Sequence, residues 1–130
     1  MHPDLTPIHG IDELERALVD SRHRPLLLFK HSYSCGVSAE ALDELLAHLA
    51  GTRSDEARYA MVTVQTHRHV SNAIATRLGV RHETPQALLV RDGAVVWSAS
   101  HFRVNADALG KALAQAPALP RTRTTTPTEN

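Results

Sequence analysis

Cys35 is the only cysteine of the chain, and its position gives a thiol the means to act as a nucleophile. The apolar run Leu26-Leu27-Leu28-Phe29 precedes it, Lys30-His31-Ser32-Tyr33-Ser34 reads as a loop, and Cys35-Gly36-Val37-Ser38 opens a helical pattern. A sulfur at a helix N-terminus faces unpaired N–H groups and the positive end of the macrodipole, and both favour the thiolate. The thiolate is the form that attacks a disulfide sulfur. A buried, inert cysteine is the plainer alternative; the strand–loop–helix placement favours the reactive one. One cysteine forms no internal disulfide and no two-cysteine catalytic cycle within the chain. An adduct captured on Cys35 must therefore be resolved by an external thiol, because Ser38 cannot attack it.

Other residues surround this thiol in the sequence with two readings each. Ser38, one turn after Cys35, either donates its hydroxyl to the thiolate or is a first-turn serine that bonds a free backbone group. Lys30 and His31, just upstream, either stabilise the thiolate and meet a ligand carboxylate or are a solvated lysine and a loop histidine. Thr84-Pro85 reads as a cis-proline step beside the cysteine that leaves the Thr84 backbone open to strand-like pairing; an ordinary trans proline opening a strand is the alternative. His67, Arg68 and His69 form a basic spot, with His82 later. No cysteine or acid completes a metal set there, so no metal site is expected. Trp97 and Phe102 read as core and hairpin packing rather than as a ligand cage.

The elements that must position these groups follow from hydrophobic periodicity. Leu5–Ile8 is a short edge strand, and Ile11, Leu14, Ala17 and Leu18 mark a helix over about 11–21. Leu26–Lys30 is a buried strand. Ala41, Leu42, Leu45, Leu46 and Leu49 line one face of a helix that Gly51 ends. Thr52–Arg58 is polar and loop-like, and 59–64 is a second central strand. Val70, Ala73, Ile74, Ala75 and Leu78 give a third helix, closed by Gly79. The runs 87–90 and 95–97, joined through Asp92-Gly93, are a hairpin. Asn105 caps a last helix with Ala106, Leu109, Ala112 and Leu113 inside. The order β-α-β-α-β-α-β-β-α predicts an α/β fold, a mixed central sheet with helices on both faces. Residues 1–116 form that domain, and 117–130, rich in Pro, Thr and Arg, read as a disordered tail.

Composition excludes several classes. The chain has 130 residues, enough for one domain with a real core. Its 14 basic and 14 acidic residues cancel, so nothing points to nucleic acid or an anionic membrane surface. No apolar stretch reaches membrane-spanning length, and Met1-His2-Pro3-Asp4 lacks a signal-peptide pattern, so a cytoplasmic location is expected.

Over residues 5–115 the chain resembles thioredoxin-fold proteins. Cys35-Gly36-Val37-Ser38 stands where thioredoxins carry two cysteines, and Thr84-Pro85 stands at their cis-proline loop. A closer resemblance is to the YtxJ family, the monothiol bacilliredoxins of the bacillithiol system. It rests on Leu28-Phe29-Lys30-His31-Ser32, on Ser34-Cys35 with Val37-Ser38, and on His82-Glu83-Thr84-Pro85-Gln86. Gly36 departs from that family's usual proline, and Ser38 from the second cysteine of thioredoxins. The resemblance implies an oxidoreductase that removes bacillithiol from S-thiolated cytosolic proteins, with Cys35 catalytic and Gly36, Val37, Ser38, Thr84, Pro85, Lys30 and His31 at the thiol-binding site. It implies no bound cofactor, only bacillithiol or another low-molecular-weight thiol as co-substrate. Two other functions compete. Cys-Gly-Val-Ser is similar to the Cys-Gly-Phe-Ser of monothiol glutaredoxins, which use glutathione or share an iron–sulfur cluster, but the Gly-Gly-acid segment of that group is missing after Pro85. A thioredoxin-fold module that only binds a partner is the third, and its binding would survive replacement of Cys35.

Overall fold

A strand covered on both faces must be apolar throughout, and Leu26–His31 (β2) is buried at every position. In this computed structural model, which describes residues 2–51 and 57–116, β2 is the middle strand of five. Around it lie Leu5–Pro7 (β1), Ile11–Asp20 (α1), Gly36–Ala50 (α2) and Arg58–Thr63 (β3). Arg68–Leu78 (α3), Gln86–Arg91 (β4), Ala94–Ser100 (β5) and Ala106–Gln115 (α4) complete the order. The sheet runs β1-β3-β2-β4-β5. β1 and β2 pair parallel to β3, whereas β4 is antiparallel to β2 and to β5.

Side chains alternate across β2, and the alternation divides the core in two. Leu27 and Phe29 pack with Ala41, Leu45 and Leu49 of α2 and with Leu109 and Ala112 of α4. Leu26 and Leu28 pack with Leu14 and Leu18 of α1 and with Val70 and Ile74 of α3. The same alternation sends Lys30 to the α1/α3 face and His31 to the α2 face.

The turn chemistry behaves as its residues require. Asp92 (φ 53°) and Gly93 (φ 75°) both occupy the left-handed region, the pair that a two-residue type I′ hairpin turn needs. Asn105 caps α4 by accepting the Ala108 N–H at 2.9 Å. Replacing Asn105 by Ala is expected to cost about 1 kcal/mol, measured as a lower urea midpoint.

Three expectations are corrected and one element is added. β2 extends one residue past its expected end at Lys30: Lys30 pairs with Val62 and Gln86 and His31 with Thr63, so neither belongs to the loop. Arg58 likewise belongs to β3, opposite Leu26. A 3₁₀ turn, His101–Arg103, intervenes between β5 and α4. Phe102 on that turn is 72% exposed rather than packed, whereas Trp97 is partly buried against the core. The stretch 52–56 and the expected tail at 117–130 lie outside the described residues. Among the described residues no helix is long and apolar enough to cross a membrane, and no three metal-ligating side chains are grouped.

Candidate active site

The site is built where β2 hands the chain to α2. Cys35 has extended backbone angles (φ −118°, ψ 121°) and occupies the N-cap of α2. Its carbonyl accepts the Ala39 N–H at 3.1 Å, and its own N–H donates to the Ser32 carbonyl at 3.3 Å. The side chain is half-exposed and makes no capping hydrogen bond. The first turn of α2 carries no acid, so no carboxylate competes for the positive end of the helix.

The loop that carries the thiol is stapled from the turn that follows β3. Gln65 donates through Nε2 to Ser32 Oγ at 2.6 Å and to Ser34 Oγ at 2.9 Å. Its Oε1 accepts the Tyr33 N–H at 3.3 Å. Sequence reasoning missed Gln65, which lies thirty positions beyond the thiol on the chain. Only the β2–β3 pairing brings it to the loop.

Ser38 is fully buried. Its oxygen accepts the Ser32 N–H at 2.9 Å and lies 2.8 Å from His31 Nδ1. Its hydroxyl therefore bonds a backbone group, one of the two expected readings, together with an imidazole that neither reading included. The burial of His31 under the loop lowers its basicity from the usual imidazole value.

Lys30 is brought elsewhere. It is fully buried on the α1/α3 face, and its Nζ has no hydrogen-bond partner. Directly across the ladder stands Gln86, whose Oε1 is also buried without a partner. Burial pulls the Lys30 ammonium down to about 8 from 10.5. Both side chains are buried, Lys30 on the α1/α3 face and His31 on the α2 face. Lys30 also acts on His82, whose basicity is lowered first by burial and then by Lys30 and Arg68.

The second wall comes from β4. The Thr84–Pro85 peptide bond is cis. The Lys30–Gln86 pairing puts this step at the same end of the sheet as the thiol loop. The Pro85 carbonyl accepts the His101 N–H at 3.0 Å, which ties the step to the 3₁₀ turn. Gln86 Nε2 donates back to the Arg81 carbonyl at 2.9 Å and closes the loop that holds it. Beside α2, Val37, Glu40, Ala41, His101 and Phe102 line part of a groove of about 310 Å³. Gly36 is exposed at the helix start, Val37 is half-buried and Thr84 is half-buried.

The chain matches the family of the monothiol bacilliredoxin BrxC over residues 6–109. It belongs to the monothiol bacilliredoxin family. Solved structures agree on the fold. A thioredoxin-fold protein provisionally described as an oxidoreductase is 28% identical, with TM-score 0.74 over 84% of this chain and 93% of that one. A single-substitution variant of thioredoxin from Halobacterium salinarum is 23% identical, with TM-score 0.66 over 89% and 93% of the two chains. Thioredoxin from Fasciola hepatica is 15% identical, with TM-score 0.68 over 85% and 98%. The fold is that of thioredoxin, and family and fold together are those of thiol oxidoreductases.

For this bacilliredoxin the glycine at position 36 is open to a test. Proline suits the first helical position, whose N–H has no intrahelical partner. It requires an extended residue before it, as Cys35 is, and a Cβ at Gly36 meets nothing within 4 Å. Gly36→Pro is expected to raise stability by about 0.5–1 kcal/mol through the unfolded state. Thermal melts read this directly, and a destabilised variant refutes it.

Proposed function

We propose that this protein is a monothiol thiol–disulfide oxidoreductase that takes bacillithiol, or a similar low-molecular-weight thiol, from S-thiolated cytosolic proteins onto Cys35. The thiolate of Cys35 attacks the low-molecular-weight sulfur of the mixed disulfide. The old S–S bond breaks, and the target protein leaves as a thiolate that takes a proton from water. An external thiolate then attacks the adduct on Cys35 and carries the low-molecular-weight thiol away as a disulfide.

The observation that carries this reading is a half-exposed sulfur at the N-cap of α2 in a chain with no second cysteine. Membership of the monothiol bacilliredoxin family supports the choice of bacillithiol. Gly36 and Val37 would flank the adduct from the helix side. The Thr84 backbone, half-buried ahead of the cis step, is suited to pair with the adduct or the target peptide beside Pro85. Ser38, His31 and Lys30 would act from behind, without touching the ligand.

Intact mass after exposure of the reduced protein to bacillithiol disulfide, and separately to glutathione disulfide, tests the reading. A single adduct on Cys35 that forms faster with bacillithiol supports it. A preference for glutathione shifts the assignment to a glutaredoxin-like protein. No adduct with either, at a pH where free cysteine reacts, overturns exchange and leaves a binding module.

A further inference from the structure

Phe29 and Tyr59 are fully buried and Trp97 packs against the core, as large apolar rings should. Tyr33 and Phe102 do not follow them: they are 65% and 72% exposed. Both lie at the end of the sheet that carries the thiol. Tyr33 stands two residues before Cys35, in the loop that Gln65 staples. Phe102 follows His101, whose N–H is bound to the Pro85 carbonyl. His101 has φ 57°, in the left-handed region that disfavours residues other than glycine. Exposed rings beside a reactive sulfur mark a surface for contact.

Phe102 belongs to one wall of the groove of about 310 Å³ that reaches Val37, two residues after Cys35. On the α2 side the groove is lined by Glu40, Asp43 and Glu44. Spacings of three and four put these carboxylates on one stripe of the helix, where like charges repel. Glu44 is used within the fold, because it accepts the Ala106 N–H at 2.8 Å. Glu40 and Asp43 are exposed, and no cation among the described residues pairs with either. The whole chain is neutral, so this negative charge is a local feature of the groove. An open aromatic ring facing unpaired carboxylates is the combination that recognises a guanidinium or ammonium group.

Building on the thiol-exchange reading, we propose that this groove docks a basic segment of the target protein, with an Arg or Lys side chain laid over Phe102 and its charge met by Glu40 and Asp43. The spacing to the sulfur sets the register. At a rise of about 1.5 Å per residue, Glu40 and Asp43 lie about 8 and 12 Å along α2 from Cys35. An extended peptide covers about 3.3 Å per residue. The selected cation therefore stands about two to four residues from the thiolated cysteine. Val37 carries the groove up to the thiol, and Tyr33 flanks the thiol in the loop before it.

The test uses two short peptides, each with one S-bacillithiolated cysteine. One carries Arg and Lys about two to four residues from the cysteine, and the other carries Glu at the same places. At subsaturating peptide and low salt the wild type is expected to take bacillithiol from the basic peptide about tenfold faster, the worth of one exposed ion pair with one cation–π contact. At about 1 M salt, where the Debye length is about 3 Å, the preference should shrink to about twofold. Glu40→Gln with Asp43→Asn should shrink it similarly at low salt, and Glu40→Lys with Asp43→Lys should reverse it. Phe102→Ser should slow transfer from the basic peptide about threefold. Thermal melts check that each variant is folded. Equal wild-type rates on the two peptides, a preference that the Gln/Asn variant keeps, or no loss in Phe102→Ser overturns the proposal. An equal loss on both peptides in the Gln/Asn variant also overturns it, since the groove would then hold bacillithiol itself. A second arm needs no transfer. Labelled versions of both peptides, with Ser in place of the cysteine, are titrated with Cys35→Ser protein and followed by fluorescence anisotropy. Tighter binding of the basic peptide to a protein that transfers nothing upholds the proposal and overturns only the exchange reading. Equal binding without transfer overturns both.

Discussion

Cys35→Ser is expected to abolish thiol transfer, by at least about a thousandfold, while leaving the protein slightly more stable. The loss follows from chemistry: a serine hydroxyl stays protonated at neutral pH and cannot attack a disulfide sulfur, for which the thiolate is the nucleophile. The gain follows from position. Cys35 is the N-cap of α2, and its side chain makes no capping hydrogen bond. Serine is among the preferred N-caps because its oxygen accepts an N–H from the first turn, worth about 0.5–1 kcal/mol. Transfer assays with an S-bacillithiolated protein and urea melts of the same preparation measure the two effects. A variant that loses stability along with activity would make Cys35 a structural residue. A variant that still transfers would place the nucleophile elsewhere.

Lys30→Met is expected to stabilise the fold near neutral pH by up to about 3 kcal/mol, and to do so only below the alkaline range. The ammonium is fully buried, without a hydrogen-bond partner, and burial lowers it to about 8 from 10.5. Between these two values the unfolded chain holds more protons than the folded one, so stability rises with pH across that window. The cost of burying the charge is therefore full below about 8 and is relieved as pH approaches 10.5. Methionine fills a similar volume with no charge to desolvate. Urea midpoints of both proteins at pH 7 and near pH 10 isolate the effect, because all other titrating groups are common to them. The gap should close at the higher pH. A methionine variant that is less stable at pH 7 would mean that Lys30 has a partner in solution.

Period and punctuation are local properties, and they located nearly every element. The alternation of apolar runs, Gly79 behind α3, Asp92-Gly93 between β4 and β5, and Asn105 before α4 each act through their own backbone. The nucleophile was legible for the same reason, since a cysteine between a strand and a helix needs no distant partner to be exposed to the helix N-terminus. The strand was legible as far as Lys30, but the face of the sheet that Lys30 takes was not, because it depends on how β2 pairs. The ladder, with Lys30 opposite Gln86 and His31 opposite Thr63, buries an upstream cation on the α1/α3 face. Phe102 was misread because a 3₁₀ turn, held by the His101–Pro85 hydrogen bond, lifts it off the sheet.

The sequence by itself determined a monothiol chemistry: one sulfur, a serine where a resolving thiol would stand, and a chain order that builds a thioredoxin-like sheet. Only the tertiary structure decided what surrounds that sulfur. It brought Gln65 under the loop, turned Ser38 toward His31 and sent Lys30 to the far face of the sheet. Helices and turns are written in neighbouring residues, whereas hydrogen-bond partners thirty positions apart meet only when strands pair and set their register.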